Sequence, residues 1–234
     1  MPNLLDPVAA YDRIAPAYAR LADQRRAYLD AVDRLIAAEI PPGSRSMLDV
    51  GAGDGARAAH IAEAAGVEAL TLLEPSERMR SLCPARATIW AMRAEELHDQ
   101  QGSFDIVSCL WNVLGHILPA AARVEVLRQF ARLTSPQGKI FVDVSHRYNA
   151  RHYGALPIAM RFLRDLVSPL GCHGDVTVTW DDTSTTGHVF THREFAALSR
   201  AADLRIEKRF VVDYASGELR GGSFNGHLLY VLRR

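Results

Sequence analysis

Lysine is almost missing from this chain of 234 residues: Lys139 and Lys208 are the only two among 27 basic residues. A lysine nucleophile or a phosphate-loop lysine therefore has almost nowhere to sit, and no Gly-Lys-Ser/Thr triplet occurs. Cysteine is scarce as well. Cys83, Cys109 and Cys172 are far apart and form no C-x-x-C pair, which argues against a disulfide scaffold or a zinc ribbon. That usage fits a reduced, cytoplasmic protein. No apolar run approaches the roughly 18–20 residues that span a bilayer, so no membrane partner is expected. The opening MPNLLDPVAA has neither a basic n-region nor an apolar h-region, so no signal peptide is expected. Excess charge of one sign is absent too, because 27 basic residues balance 27 acidic ones. This balance argues against a strongly basic nucleic-acid binder and against an acidic disordered tail. Repeats and low-complexity tracts are not visible.

What is present is apolar residue in quantity, 48% of the chain, enough at this length for a sizeable core. From Ala17 to Ile40 the residues Leu21, Tyr28, Leu29, Val32, Leu35 and Ile36 recur at helical spacing, and Pro41-Pro42-Gly43 ends the pattern. Met47–Val50 then reads as a first strand, Ala69–Leu73 as a second and Thr88–Ala91 as a third. Phe104–Leu110 reads as a fourth and Ile140–Val144 as a fifth, the latter entered through a Ser135–Gly138 turn. Helices are expected at Ala56–Ala65, in a short piece capped by Ser76, and from Pro119 to Leu133. Strands alternating with helices in this way predict a parallel sheet covered on both faces. The pattern changes near Ser145, where prolines and glycines scatter around one helical piece (Ile158–Val167) and one strand (Val176–Trp180). Thr191-His192-Arg193-Glu194 is a capping box opening a last helix, and Ile206–Asp213 and Leu228–Leu232 can form an antiparallel pair.

Asp49-x-Gly51-x-Gly53-x-Gly55 lies between the first strand and its helix. Glycines there let the backbone turn tightly and approach a ligand, and the helix start offers free N–H groups to a negative charge. A dinucleotide pyrophosphate and the methionine carboxylate of S-adenosylmethionine both suit such a loop, and Gly51-x-Gly53-x-x-Ala56 also satisfies the looser dinucleotide fingerprint. Asp49 favours the second ligand, because a carboxylate at the strand end repels a pyrophosphate but attracts an ammonium group. Glu74, ending the second strand, can accept both hydroxyls of a ribose and is expected with either ligand.

The segments MLDVGAGDGARAAHIAE, LTLLEPSERM, RAEEL, FDIVSCLWNVLGHI and LTSPQGKIFVDV resemble, in this order, the motifs of class I S-adenosylmethionine-dependent methyltransferases over about Asp12 to Val144. The resemblance implies that Asp49, Gly51, Ala52, Gly53 and Gly55 surround the methionine end. It implies that Glu74, with Pro75 beside it, holds the ribose, and that Ala94 and Glu95 flank the adenine. Cys109, Leu110 and Trp111 would line the cofactor near its sulfur. Tyr11 and Tyr18 are candidates to close over the methionine end, and Met79 either packs on the adenine or belongs to the core.

The implied fold is α/β, a Rossmann-like, doubly wound and mostly parallel seven-stranded sheet with an antiparallel last strand and a small cap inserted after the fifth strand. Residues 1–144 would form the N-terminal helices and cofactor part, 145–190 a substrate-covering cap, and 191–234 the final helix and closing strand pair.

FDIVSCLWNVLGHI followed by DVSHRYN is also similar to glycine N-methyltransferases, in which an asparagine, a histidine and an arginine face the amino-acid substrate. The matching positions are Asn112, His116 and Arg147. Asn112 and His116, four apart, would share a helical face and orient the nucleophile, with His116 as the titratable group suited to accept a proton. Arg147 would anchor a carboxylate on the substrate.

The expected activity is transfer of a methyl group to N or O of a small molecule, by a monomer or homodimer without a metal. The rival readings are a nucleotide-dependent oxidoreductase, a nucleic-acid methyltransferase and a cofactor-binding protein without catalysis. The segment Cys-Leu-Trp-Asn after the fourth strand differs from the Asn/Asp-Pro-Pro-Tyr/Phe used in base methylation. His188 and His192 are four apart, but a strand-to-helix boundary between them argues against a zinc pair. Asp105 is expected to be a structural acceptor at a turn.

Overall fold

The computed structural model describes residues 4–168, 173–222 and 224–234. Cys172 lies outside the described residues, and Cys83 and Cys109 are free thiols. The chain opens with β1 (Leu4–Leu5), α1 (Pro7–Ile14), α2 (Tyr18–Asp23) and α3 (Arg26–Glu39). It continues through β2 (Ser46–Val50), α4 (Ala56–Ala64), β3 (Ala69–Leu73), α5 (Glu77–Arg80), β4 (Thr88–Trp90) and β5 (Phe104–Cys109). Next come α6 (Ala120–Leu133), β6 (Thr134–Val144), α7 (Ala150–Tyr153), α8 (Ala155–Val167), β7 (Asp175–Trp180) and β8 (Thr183–His188). The chain closes with α9 (His192–Ala201), β9 (Arg205–Val212) and β10 (His227–Arg233).

The main sheet has seven strands in the order β4-β3-β2-β5-β6-β10-β9. Neighbours from β4 to β6 pair in parallel, whereas β10 runs antiparallel to both β6 and β9. The expected α/β class and antiparallel closing pair are both present. Alternation along the strands sorts the core by face. Ile140, Val142 and Val144 of β6 pack with Val126, Leu127 and Phe130 of α6 and with Phe195 and Leu198 of α9. Phe141 of the same strand faces the other way, toward Val32 and Ile36 of α3 and Ile61 of α4. Both faces being covered, the strands carry apolar side chains on both sides.

Three local expectations change. The helix read over Ala17–Ile40 is two helices, broken at Gln24 and Arg25, and Arg25 leaves the helical region (φ −119°, ψ 14°). No large apolar side chain falls between Leu21 and Tyr28, so nothing draws that turn into the core. Helix α1 went unread, although Asp6 caps it by accepting from Val8 N and Pro7 sits at its first position. The Ser135–Gly138 turn is a wide bulge inside β6: Phe104 pairs with Thr134 but Ile106 pairs with Lys139. Asp105 sits opposite that bulge, where it accepts from Arg45 N, Ser46 N and Ser135 Oγ, the structural role expected of it.

A second sheet has the order β1-β8-β7, and its strand β8 meets the turn after β5, where the Thr186 carbonyl lies 2.9 Å from His116 Nδ1. Its strand β1 comes from the start of the chain and pairs in parallel with β8, so the inserted segment is tied to the N-terminal helices. No described helix is long and apolar enough to cross a membrane.

Thr191 caps α9 reciprocally: Glu194 N donates to Thr191 Oγ1 at 3.1 Å and Thr191 N to Glu194 Oε2 at 3.3 Å. Thr191→Ala is expected to cost about 0.5–2 kcal/mol of stability. Urea unfolding that gives an unchanged midpoint would count against the cap.

Candidate functional site

β2 delivers Asp49 to the carboxyl edge of the sheet, and the chain turns at once through the glycine loop. Gly51, Gly53 and Gly55 all have positive φ, at 73°, 60° and 70°. A Cβ on Gly51 would stand 2.4 Å from Val113 Cγ1, and one on Gly53 2.9 Å from the Tyr18 hydroxyl. Bare backbone at these two positions is therefore what lets the flanking segments close on the loop. Gly51 N and Ala52 N donate to the Leu73 carbonyl. Glu74 locks the loop further, its two oxygens accepting from Gly53 N (2.7 Å) and Ser76 N (2.8 Å). Asp49 Oδ1 accepts from Ser108 Oγ at 2.5 Å, and Oδ2 makes no hydrogen bond among the described residues.

These two acids face one cleft with few cations to balance them. Burial pushes Glu74 up to about 7 and Asp49 up to about 6. Asp49, Gly51, Ala52, Gly53, Glu74, Pro75, Ala94, Glu95, Leu110 and Trp111 line the cleft, with Tyr11 and Tyr18 on the side of α1 and α2. A glycine cradle, an acid at the strand end and a second acid with unused lone pairs fit a ligand that carries an ammonium group and a ribose.

Gly55, Met79 and Cys109 are not part of the cleft wall. Gly55 starts α4 in the left-handed region. Met79 is fully buried against Ile14 and Ala15, because the unread helix α1 covers α5. Cys109 is also fully buried and points into the core under α6, since alternation along β5 turns it away from Leu110. The cleft residues that sequence reasoning missed are chiefly Val8, Arg57, Arg93 and Val113. Arg57 could have been noticed as the basic residue in the first turn of an alanine-rich helix; its guanidinium binds Asp33 of α3 at 2.6 and 3.1 Å.

Beyond β5 the chain makes an unusual turn. Trp111 and Asn112 are consecutive residues with positive φ, 51° and 64°. Such a pair costs conformational energy and persists only when its surroundings hold it. Here Trp111 N donates to Asp143 Oδ2 and Asn112 N to the Asp143 carbonyl. The Asn112 amide is committed as well, with Oδ1 accepting from Ser145 N and Nδ2 donating to the His188 carbonyl. Asn112 thus braces the turn at the cavity edge, and the shared helical face expected for Asn112 and His116 does not form.

His116 ends the 3₁₀ turn Val113–His116. Its Nδ1 lies 2.9 Å from the Thr186 carbonyl, which can only accept, so Nδ1 carries the proton. The lone pair of Nε2 then faces the Tyr11 hydroxyl at 3.3 Å. Burial pushes the imidazole below its ordinary value, which keeps it neutral, and burial pushes the Tyr11 phenol up.

Tyr11, Tyr18, Trp111 and His116 also border a second cavity of about 510 Å³, roofed by β7 and walled by residues of the α2–α3 break, α7, α8 and the β9–β10 connection. Arg147 does not line it. Its guanidinium is 9% exposed and sits between Asp165 (2.9 Å) and Glu194 (3.6 Å), so the anchoring role expected of it is withdrawn. His188 is held between Asp175 and Glu194 at 2.6 Å each, while His192 stacks on Tyr230. The two histidines belong to different networks.

A family model described as a methyltransferase domain matches residues 19–209. No curated protein matches the chain. Among solved structures, an S-adenosylmethionine-dependent methyltransferase from Clostridium acetobutylicum superimposes with a TM-score of 0.66 at 12% identity, covering 95% of this chain and 98% of that one. A possible histamine N-methyltransferase from Thermotoga maritima gives 0.64 at 17% identity, with 96% and 97% covered. The sugar N-methyltransferase KedS8 from Streptoalloteichus gives 0.60 at 18% identity, with 93% of each chain covered. At these identities the likeness concerns the fold.

Proposed function

The chain belongs to the methyltransferase-domain family and is an S-adenosylmethionine-dependent enzyme, and from that premise we propose that it methylates an N or O atom of a small molecule held in the second cavity. The oxidoreductase reading of the glycine loop falls with the family assignment. One observation carries the proposal: His116, with an unprotonated Nε2, stands where the cleft and the cavity meet. The segment 145–190, which provides β7 and β8, acts in this reading as the substrate cover.

When bound, S-adenosylmethionine supplies a methyl group on a positively charged sulfur, which leaves as a neutral thioether and needs no acid. Asp49 would receive the ammonium group, Glu74 the ribose hydroxyls and the Gly51–Gly53 backbone the methionine end. Ala94 and Glu95 would border the adenine. The enzyme's remaining work is to align the acceptor, keep water out and remove one proton. The acceptor atom gives its lone pair to the new bond, and the proton it sheds passes to His116 Nε2. Tyr11 covers that lone pair until an acceptor displaces its hydroxyl. Methyl-transfer assays with isotopically labelled cofactor over amines, amino acids, phenols and carboxylic acids test the reading, with product masses locating the methyl group. Labelling of none of them would defeat it.

Cofactor binding should depend on pH. An ionised Asp49 attracts the ammonium group and an ionised Glu74 accepts more strongly from the ribose hydroxyls than their protonated forms do, and burial raises both acids in the free enzyme. Below about 7 binding must first release a proton from Glu74, so affinity falls with falling pH. Calorimetry with S-adenosylhomocysteine should show the decline between about pH 8 and about pH 5.5, the range over which these two groups titrate. Glu74→Ala is expected to cost about 1.5–3 kcal/mol at the upper end of that range and to flatten the profile. Unaltered affinity would remove Glu74 from the ribose.

A further inference from the structure

Four arginines line the cleft and the cavity, and they fall into two classes. Arg57 is clamped by Asp33 and Arg93 by Asp6. Arg25 and Arg161, both on the cavity wall, have no carboxylate within 4 Å among the described residues. Each lies over a tyrosine ring instead: Arg25 is 4.6 Å from the centre of Tyr214, and Arg161 is 4.3 Å from that of Tyr153. Arg161 Nη1 also donates to the Arg147 carbonyl at 3.2 Å, and each guanidinium hydrogen-bonds its tyrosine, which fixes both planes and leaves their other N–H donors for a ligand.

His152 connects the two. Its ring packs edge-on against Tyr153 (4.6 Å) and Tyr214 (4.9 Å), and burial first, then both guanidinium charges, hold it below its ordinary value. Its ring nitrogens make no hydrogen bond among the described residues, so the neutral imidazole offers one more N–H donor. The acidic residue on the cavity wall, Asp181, is bound to Arg20. One wall therefore carries two unneutralised charges and a spare donor in a partly enclosed space, where a pair of cations is unfavourable without a counter-ion. The Trp111 indole donates to the Tyr214 hydroxyl at 3.2 Å, which places this wall beside the junction with the cofactor cleft.

We propose that Arg25 and Arg161 form an anion subsite, and that the methyl acceptor is a planar small molecule bearing a carboxylate or phosphate group apart from the atom that is methylated. The anion bridges the two guanidinium edges, the planar body lies among Tyr11, Tyr214 and Trp180, and the accepting atom reaches His116. This inference rests on the methyltransferase reading of the neighbouring cleft. It transfers to Arg25 and Arg161 the anchoring that Arg147, already paired, does not provide.

The test is calorimetric titration of the protein saturated with S-adenosylhomocysteine. Benzoate and phenyl phosphate are the anionic probes, with benzamide and benzylamine as neutral and cationic counterparts. The anions are expected to bind at least about tenfold more tightly than either counterpart. Arg25→Gln and Arg161→Gln should each weaken the anions by about tenfold, and the double variant should lose the preference. Arg128→Gln removes a surface arginine bonded to Glu125 and the Ala201 carbonyl and should change nothing. Unchanged S-adenosylhomocysteine affinity in every variant would show that the fold and the cleft are intact. No binding of either anion, equal binding of benzoate and benzamide, or a double variant that keeps the preference overturns the proposal. Failure of the unaltered protein to bind S-adenosylhomocysteine overturns the reading of the cleft instead.

Discussion

His116→Ala is expected to lower kcat by about 10²–10⁴-fold while leaving S-adenosylhomocysteine affinity nearly unchanged, the range usual for loss of a positioned general base. The split follows from the site. His116 borders both the cofactor cleft and the cavity, whereas Asp49, Gly51, Gly53 and Glu74, which would hold the cofactor, line the cleft alone. Burial lowers the imidazole, and the Thr186 carbonyl opposes this only in part. A base held low stays unprotonated into mildly acid solution, so the acid limb of kcat against pH should fall below the ordinary histidine value of about 6.5. Steady-state kinetics on an acceptor found in the labelling screen would check both points. A variant with normal kcat would remove His116 from the chemistry.

Arg57→Ala should be the most destabilising of the substitutions considered, at about 3–5 kcal/mol, because it strands the buried carboxylate of Asp33. In a chain of this size that corresponds to a fall in Tm of about 6–20 °C. The double variant Arg57→Ala/Asp33→Ala removes the orphaned charge together with its partner and should recover most of the loss. Thermal unfolding of the two variants and the parent decides the matter; equal Tm in single and double variants would mean that the pair does not act as a unit. Burial raises both Asp49 and Asp143, and the Arg57 charge offsets part of that rise, so the pair links the α3–α4 packing to the mouth of the cleft.

The cofactor half of the site was readable because its geometry is local. A strand, a glycine turn and a helix follow one another within Met47–Ala64, and Glu74 ends the adjacent strand in perfect register with Val50 paired to Leu73. Misreadings arose where a side chain's direction depends on a distant element. Met79, open between adenine and core in the sequence, is drawn into the core by α1 from the start of the chain, and Cys109 is turned one alternation away from the cleft. The catalytic half was less legible. Asn112 and His116 have helical spacing, but the anchors at Asp143 and His188 hold Asn112 in a left-handed turn.

Periodicity and turn chemistry were sufficient to establish the parallel sheet, the capping box at Thr191 and the glycine loop, since each depends on neighbours within a few positions. Charge pairing is different, because it depends on distance through space. The resemblance implied an anchor at Arg147, yet folding places Asp165 and Glu194 against it. Arg25 and Arg161 carried no such sign, and it is the meeting of the α2–α3 break, α7, α8 and the β9–β10 connection that leaves them stacked on tyrosines without a carboxylate partner among the described residues. Spacing along the chain encodes backbone conformation, but which charges are left free to meet a substrate is settled only when distant segments pack together.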